Sequence, residues 1–139
     1  MARIELMTWE QAQPTAGPLR FAIFVGEQNV PPGIELDDMD AKCVHAVAFD
    51  LDGKAIGTGR LLPDGHIGRM AVTKEWRRRG IGAELLTALM DEARKRGHKD
   101  VVLAAQLQAM EFYRSFGFEA EGKVYEDAAI LHQKMRKKL

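Results

Sequence analysis

RRRGIGAELL, residues 77–86, is the stretch on which the reading of this chain turns. From Ile81 onward it has the pattern of a helix: Ile81, Leu85 and Leu89 recur at four-residue spacing, with Leu86, Met90 and Ala93 beside them. The lead-in is three arginines and two glycines. A helix N-terminus carries positive partial charge and favours Asp, Glu, Ser or Thr, so Arg77, Arg78 and Arg79 are misplaced for an isolated helix. The misfit disappears if an anion occupies the helix end. Free backbone N–H groups point outward there, and Gly80 and Gly82 let the backbone come close to a ligand. Guanidinium groups add charge-assisted hydrogen bonds to phosphate oxygens. The pattern therefore predicts a phosphate or pyrophosphate cradle between a strand ending at Val72 and a helix beginning near Gly80. It is neither a P-loop, which needs Gly-Lys followed by Ser or Thr, nor a dinucleotide fingerprint, because Glu84 and Leu85 follow Gly82 where that motif calls for a third glycine.

Working outward, HIGRMAV (66–72), KAIGTGRLL (54–62) and VHAVAFD (44–50) read as strands joined by the turns PDG and DLDG. They predict an antiparallel meander leading into the cradle. Upstream, ARIELMT (2–8) fits a first strand, and Leu19, Phe21, Ala22, Phe24 and Val25 fit an amphipathic helix that starts after Pro14 or Pro18. VPPGIELDDMD (30–40) reads as an irregular loop rich in carboxylates. Downstream, the helix ends near Arg96 before Gly97. The nearly all-apolar DVVLAA (100–105) is an interior strand, residues 107–115 form a helix, and further strands begin at Phe118 and Ala128. The predicted order β-α-β-β-β-α-β-α-β-β is an α/β (α+β) fold. It implies a mostly antiparallel mixed sheet of six or seven strands with helices on both faces. Residues 1–139 read as one domain.

Composition narrows the function. Hydrophobic residues make up 46% and charged residues 29%, as in ordinary globular proteins. Twenty basic residues balance twenty acidic ones, so no global field attracts nucleic acid or an anionic membrane. A small nucleic-acid-binding protein using the arginine run is the rival reading, disfavoured by that balance and by the lack of interleaved aromatics. Cys43, the only cysteine, excludes an intramolecular disulfide and points to a reducing compartment. Its apolar neighbours suggest plain burial. No apolar run approaches a membrane span and no signal peptide is legible, so the expected location is the cytoplasm. The acidic loop lacks the glycine and distal Glu of a calcium site, and no metal is expected.

Val72, Lys74-Glu75-Trp76-Arg77-Arg78-Arg79-Gly80-Ile81-Gly82-Ala83 resembles the central motif of the GNAT superfamily of N-acetyltransferases, R/Q-x-x-G-x-G/A, matched at Arg77, Gly80 and Gly82. The resemblance implies that Arg77, Arg78, Arg79, Gly80, Ile81, Gly82 and Ala83 wrap the pyrophosphate of acetyl-CoA. It also implies that Met70, Ala71 and Val72 meet the pantetheine arm at a β-bulge that splays two strands apart. The predicted strand order is similar to the GNAT order over the whole chain.

AMEFYRSFGF (109–118) resembles the A-x-x-F-Y-x-x-x-G-F element of the same family. By that resemblance Tyr113 protonates the departing thiolate, which suits a phenol whose ordinary pKa is near 10 against a thiol near 8.5. Gln106, Ala109 and Phe112 would border the cofactor, with Gln106 standing where members often carry Asn. Phe112, Phe116 and Phe118 also read as core. The family transfers directly in a ternary complex, which demotes Cys43.

On the acceptor side, a base for the amine is sought among Glu27, Glu35, Asp37, Asp38, Asp40 and His45. The acidic loop reads either as solvated surface or as a negative rim that selects a cationic amine. RFAIFVGEQNVP (20–31), the following ELDD, His45 and His132 resemble the ElaA-like subgroup of GNAT proteins, in which a G-I-P-H-like segment precedes the C-terminus. Ala129-Ile130-Leu131-His132 keeps its Ile and His. His45 and His132 are either acceptor-cleft residues or structural histidines. The implied partner is a small-molecule or peptide amine, and the family implies a homodimer. A non-catalytic acyl-CoA-binding module is the remaining alternative.

Overall fold

The computed structural model describes residues 2–35 and 37–139, so Leu36 of the ELDD segment lies outside the described residues. Its strands are β1 (Arg3–Met7), β2 (Val44–Phe49), β3 (Ala55–Leu61), β4 (Ile67–Val72), β5 (Asp100–Gln106), β6 (Glu119–Asp127) and β7 (Ile130–Lys138). The helices are α1 (Trp9–Arg20), α2 (Pro32–Glu35), α3 (Ile81–Lys95) and α4 (Met110–Arg114). The seven strands divide into two antiparallel sheets, ordered β1-β2-β3-β4 and β5-β7-β6. One parallel bridge, His66 to Val102, links them.

Helices cover both faces of the first sheet, as alternation along β2 shows. Val47 and Phe49 pack with Ala12 and Ala16 of α1. Ala46 and Ala48 turn the other way into the main core, with Ile81, Leu85 and Leu89 of α3. Gly57 of β3 lets α3 lie close. A Cβ there would stand 3.0 Å from the Leu85 side chain and 3.2 Å from Ile81. A Cβ on Gly59 would run into the Met70 sulfur.

Three elements differ from the sequence reading: the stretch read as an irregular loop over 30–40 holds the short α2, and two helix boundaries move. The first helix starts at Trp9, not at Pro14 or Pro18, because Thr8 and Gln11 form a reciprocal capping box. Both prolines are inside it, at exposed positions, where each omits a ladder hydrogen bond. The helix continues as a π-helical segment, Phe21–Glu27. The helix expected over 107–115 is a 3₁₀ turn, Leu107–Ala109, followed by the short α4. Among the described residues no helix is long and apolar enough to cross a membrane.

Candidate active site

Strands β4 and β5 touch at their beginnings, where Val102 N–H donates to the Gly65 carbonyl at 3.2 Å, and then part. A bulge drives the parting. Thr58 pairs with Ala71 and Arg60 with Gly68, so Arg69 and Met70 together face Gly59. Arg69 takes the bulge conformation at φ 50°, left-handed for a non-glycine residue. Between the strands opens a cleft of about 330 Å³, bordered by Phe24, Met70, Ala104, Gln106, Tyr113 and His132 among others.

At the exit of β4 the chain makes a 3₁₀ turn, Lys74–Trp76, and enters α3 through the Arg/Gly segment. Gly80 is the N-cap at φ 84° and offers no side-chain cap. The N–H groups of Ile81, Gly82 and Ala83 therefore have no intrahelical acceptor; the first ladder bond runs from Glu84 N–H to the Gly80 carbonyl at 3.1 Å. Ile81 is buried and anchors the turn, while Gly82 and Ala83 are half-buried. An uncapped, glycine-flanked helix start suits a diphosphate, since neither a side chain nor a cap competes for those donors.

The three arginines have three surroundings. Arg77 donates to both carboxylate oxygens of Glu27 at 2.9 Å, and through Nε to the Val72 carbonyl at 2.9 Å. Arg79 lies over the Trp76 ring, 5.0 Å from its centroid. Arg78, exposed and held at φ 63°, has no side-chain partner among the described residues. Two expectations change here. Glu27 is ion-paired to the cradle rather than poised as a base, and Val72 spends its carbonyl on Arg77. Ala71 is buried against Leu19, Ile23 and Phe24, which leaves Met70 as the residue of 70–72 that borders the cleft.

Across the cleft, Tyr113 packs edge-on to Phe112 and Phe118, with centroids 5.1 and 5.9 Å apart. Burial pushes its phenol up to about 12, so the hydroxyl holds its proton throughout the neutral range. Phe112, partly exposed, lies against the first turn of α3. Gln106 donates to Gln28 Oε1 at 2.9 Å, joining the end of β5 to the end of the π-helical segment, and Ala109 borders the same space.

The negative rim expected from the acidic loop does not form, because three of its carboxylates turn inward onto arginines. Arg20 bonds Glu35 through Nε at 2.6 Å and Asp40 through its two Nη atoms at 2.8 and 3.1 Å. Arg60 holds both Asp37 oxygens at 2.8 Å and shares Asp40 at 2.9 Å. Arg69 reaches Asp37 at 3.3 Å. Glu35 thus borders the cleft with its carboxylate already committed. The Arg60 hydrogen bonds hold the Asp37 carboxyl down to about 2. Burial pushes Asp40 up, but the bonds and charges of Arg20 and Arg60 outweigh it and keep that carboxyl low. Asp38 stays on the exposed surface.

The two histidines part company. His45 is fully buried away from the cleft, with Nε2 bonded to the Asp40 carbonyl at 2.9 Å and its ring against Trp9. Burial pushes its pKa down, so it is a neutral structural histidine, correcting the acceptor-side expectation. His132, on β7 opposite Gln106, does border the cleft. Sequence reasoning missed Gln28, Arg69 and Asp127, which border it too, and the anchors Arg20 and Arg60. A signal for the last two was present. Arg20 and Arg60 interrupt apolar runs, and a charge buried that way needs carboxylates such as those of residues 35–40.

Residues 28–139 match the family described as acetyltransferase (GNAT) domain. The uncharacterized N-acetyltransferase YjcF of Bacillus subtilis is 36% identical, over 86% of this chain and 87% of its own. Escherichia coli ElaA is 32% identical over 82% of this chain and 79% of its own. The ElaA crystal structure superposes with a TM-score of 0.88 at 26% identity, covering 99% of this chain and 100% of that one. An acyl-CoA N-acyltransferase from Pseudomonas aeruginosa superposes with a TM-score of 0.87 at 27% identity, covering 99% of each chain.

Proposed function

Because this chain belongs to the GNAT acetyltransferases, among relatives of ElaA, and is an acyltransferase, we propose that it moves the acetyl group of acetyl-CoA to a primary amine, directly and in a ternary complex. The amine belongs to a small molecule or peptide in the cytoplasm, and the working form is the homodimer the family implies. The observation that carries the reading is the cleft that the bulge residues Arg69 and Met70 share with Tyr113, together with an uncapped start of α3 just beyond the end of β4.

The N–H groups of Ile81, Gly82 and Ala83 bind the pyrophosphate oxygens, with Arg78 and Arg79 adding positive charge at the same end. Arg77 acts one step back: tied to Glu27 and Val72, it fixes the loop that presents those donors. Met70, Gln106 and Ala109 flank the pantetheine arm, and the phenylalanine at 112 closes the space beside Gly82. The co-substrate supplies an activated acyl group as a thioester. Tyr113 supplies the proton that the sulfur needs as the carbon–sulfur bond breaks, and its raised pKa keeps that proton available.

The test combines binding and turnover. Excess acetyl-CoA should raise the melting temperature, and a thiol-release screen with spermidine, glucosamine and a lysine peptide should find an acceptor. An unchanged melting curve would overturn the co-substrate assignment, and thiol release that never depends on an amine would overturn the acceptor class.

A further inference from the structure

Amine acetylation requires the attacking nitrogen to lose its protons, and the carboxylates of Glu27, Glu35, Asp37 and Asp40 are already committed to arginines. Glu27 is paired with Arg77. Glu35, Asp37 and Asp40 are held by Arg20, Arg60 and Arg69, and the two aspartates are the weaker bases for it. His45 is sealed away behind Trp9. On the β6–β7 side of the cleft stands a ring with different surroundings. His132 Nδ1 lies 2.8 Å from the Ile130 carbonyl, two residues back on its own strand. A carbonyl only accepts, so Nδ1 carries the proton and the neutral ring keeps its lone pair on Nε2. The ring is further held by stacking on Tyr125, with centroids 5.8 Å apart and planes within 21°. Nε2 has no partner among the described residues.

We infer that His132 is the general base of this enzyme, its Nε2 taking the proton from the acceptor amine, with the Ile130 carbonyl fixing the tautomer. The inference rests on the acyl-transfer reading and deepens it. A neutral amine's nitrogen forms a bond to the thioester carbonyl carbon as the carbon–sulfur bond breaks. The Nε2 of His132 accepts the proton that the nitrogen sheds, and the Tyr113 hydroxyl donates its own to the departing sulfur. Proton transfer from the imidazolium to the phenolate through solvent restores both groups, so an amine and a thioester become an amide and a thiol. Among the described residues, the charged or titratable groups that border the cleft with the ring are Asp127 of β6, Tyr113 of α4, Glu35 of α2 and Arg69 of β4, while Tyr125 of β6 stacks on it. Asp127 is the carboxylate there without an arginine among the described residues, and it favours a cationic acceptor beside the base.

The test uses His132→Asn, whose side-chain amide can still donate to the Ile130 carbonyl but offers no basic nitrogen. We expect kcat for the acceptor found by thiol release to fall by about a hundredfold or more, with the acetyl-CoA melting shift unchanged. Nitrogen-15 NMR of the parent's histidines provides a check that needs no variant, and it should report His132 protonated on Nδ1. Parent-like kcat in His132→Asn, or a neutral ring protonated on Nε2, would overturn the assignment. Absence of an acetyl-CoA shift in the parent would instead overturn the acyl-transfer reading on which it stands.

Discussion

Gly82 in the first turn of α3 faces the ring of Phe112, so that a Cβ added at Gly82 would meet Phe112 Cζ at 3.5 Å. That is ordinary van der Waals contact, and it sets how large residue 82 can be. One methyl group fits; an indole does not, and it would occupy the space in front of the α3 N–H groups.

Gly82→Ala should therefore keep the acetyl-CoA melting shift and stabilise the free protein by about 0.5–1 kcal/mol through the helix preference for alanine. Gly82→Trp should abolish the shift. Thermal melts with and without acetyl-CoA measure both. A tryptophan variant that still responds would place the diphosphate elsewhere.

If the hydroxyl protonates the leaving sulfur as proposed, Tyr113→Phe should lower kcat by about 10²-fold with little change in the apparent affinity for acetyl-CoA. Since burial holds the phenol near 12, Tyr113 should add no alkaline fall in rate below about pH 11. Rate–pH profiles of parent and variant read both effects. Equal turnover in the two would remove Tyr113 from the reaction.

The inward-turned carboxylates make folding sensitive to acid. Asp37, held down to about 2, binds its proton more weakly when folded than when unfolded. Its stabilisation is complete above an unfolded pKa of about 4 and is lost as pH falls from there toward about 2. Urea midpoints between pH 2 and 6 should fall in that window, and less steeply in Asp37→Asn. Asp40→Asn should be far more damaging at neutral pH, by about 3–5 kcal/mol, because it strips charge compensation from the buried Arg20 and Arg60 together.

The features legible in the sequence were those carried by neighbouring residues. The meander over 44–72, the periodic helix after Gly80 and the apolar strand at 100–105 stand within a residue or so of their expected bounds. In each, period and turn chemistry agree. The start of α1 was misread because Pro14 and Pro18 resemble helix openings, whereas the Thr8–Gln11 capping box decides it. The uncapped start of α3 was legible for a related reason: the misfit of Arg77–Arg79 at a helix start is a local contradiction.

What the residues near one another determined was the fold class and a helix start without a side-chain cap. Tertiary structure alone decided what each charge does. Arg20, Arg60 and Arg69 come from α1, β3 and β4 and converge on one loop, converting an expected acidic rim into a neutralised internal network. Likewise His45 and His132 look alike on their strands, yet one is sealed in the core and the other borders the cleft. A charge or an imidazole acts through its partners and its exposure to water, and both are set by chain segments far apart in sequence.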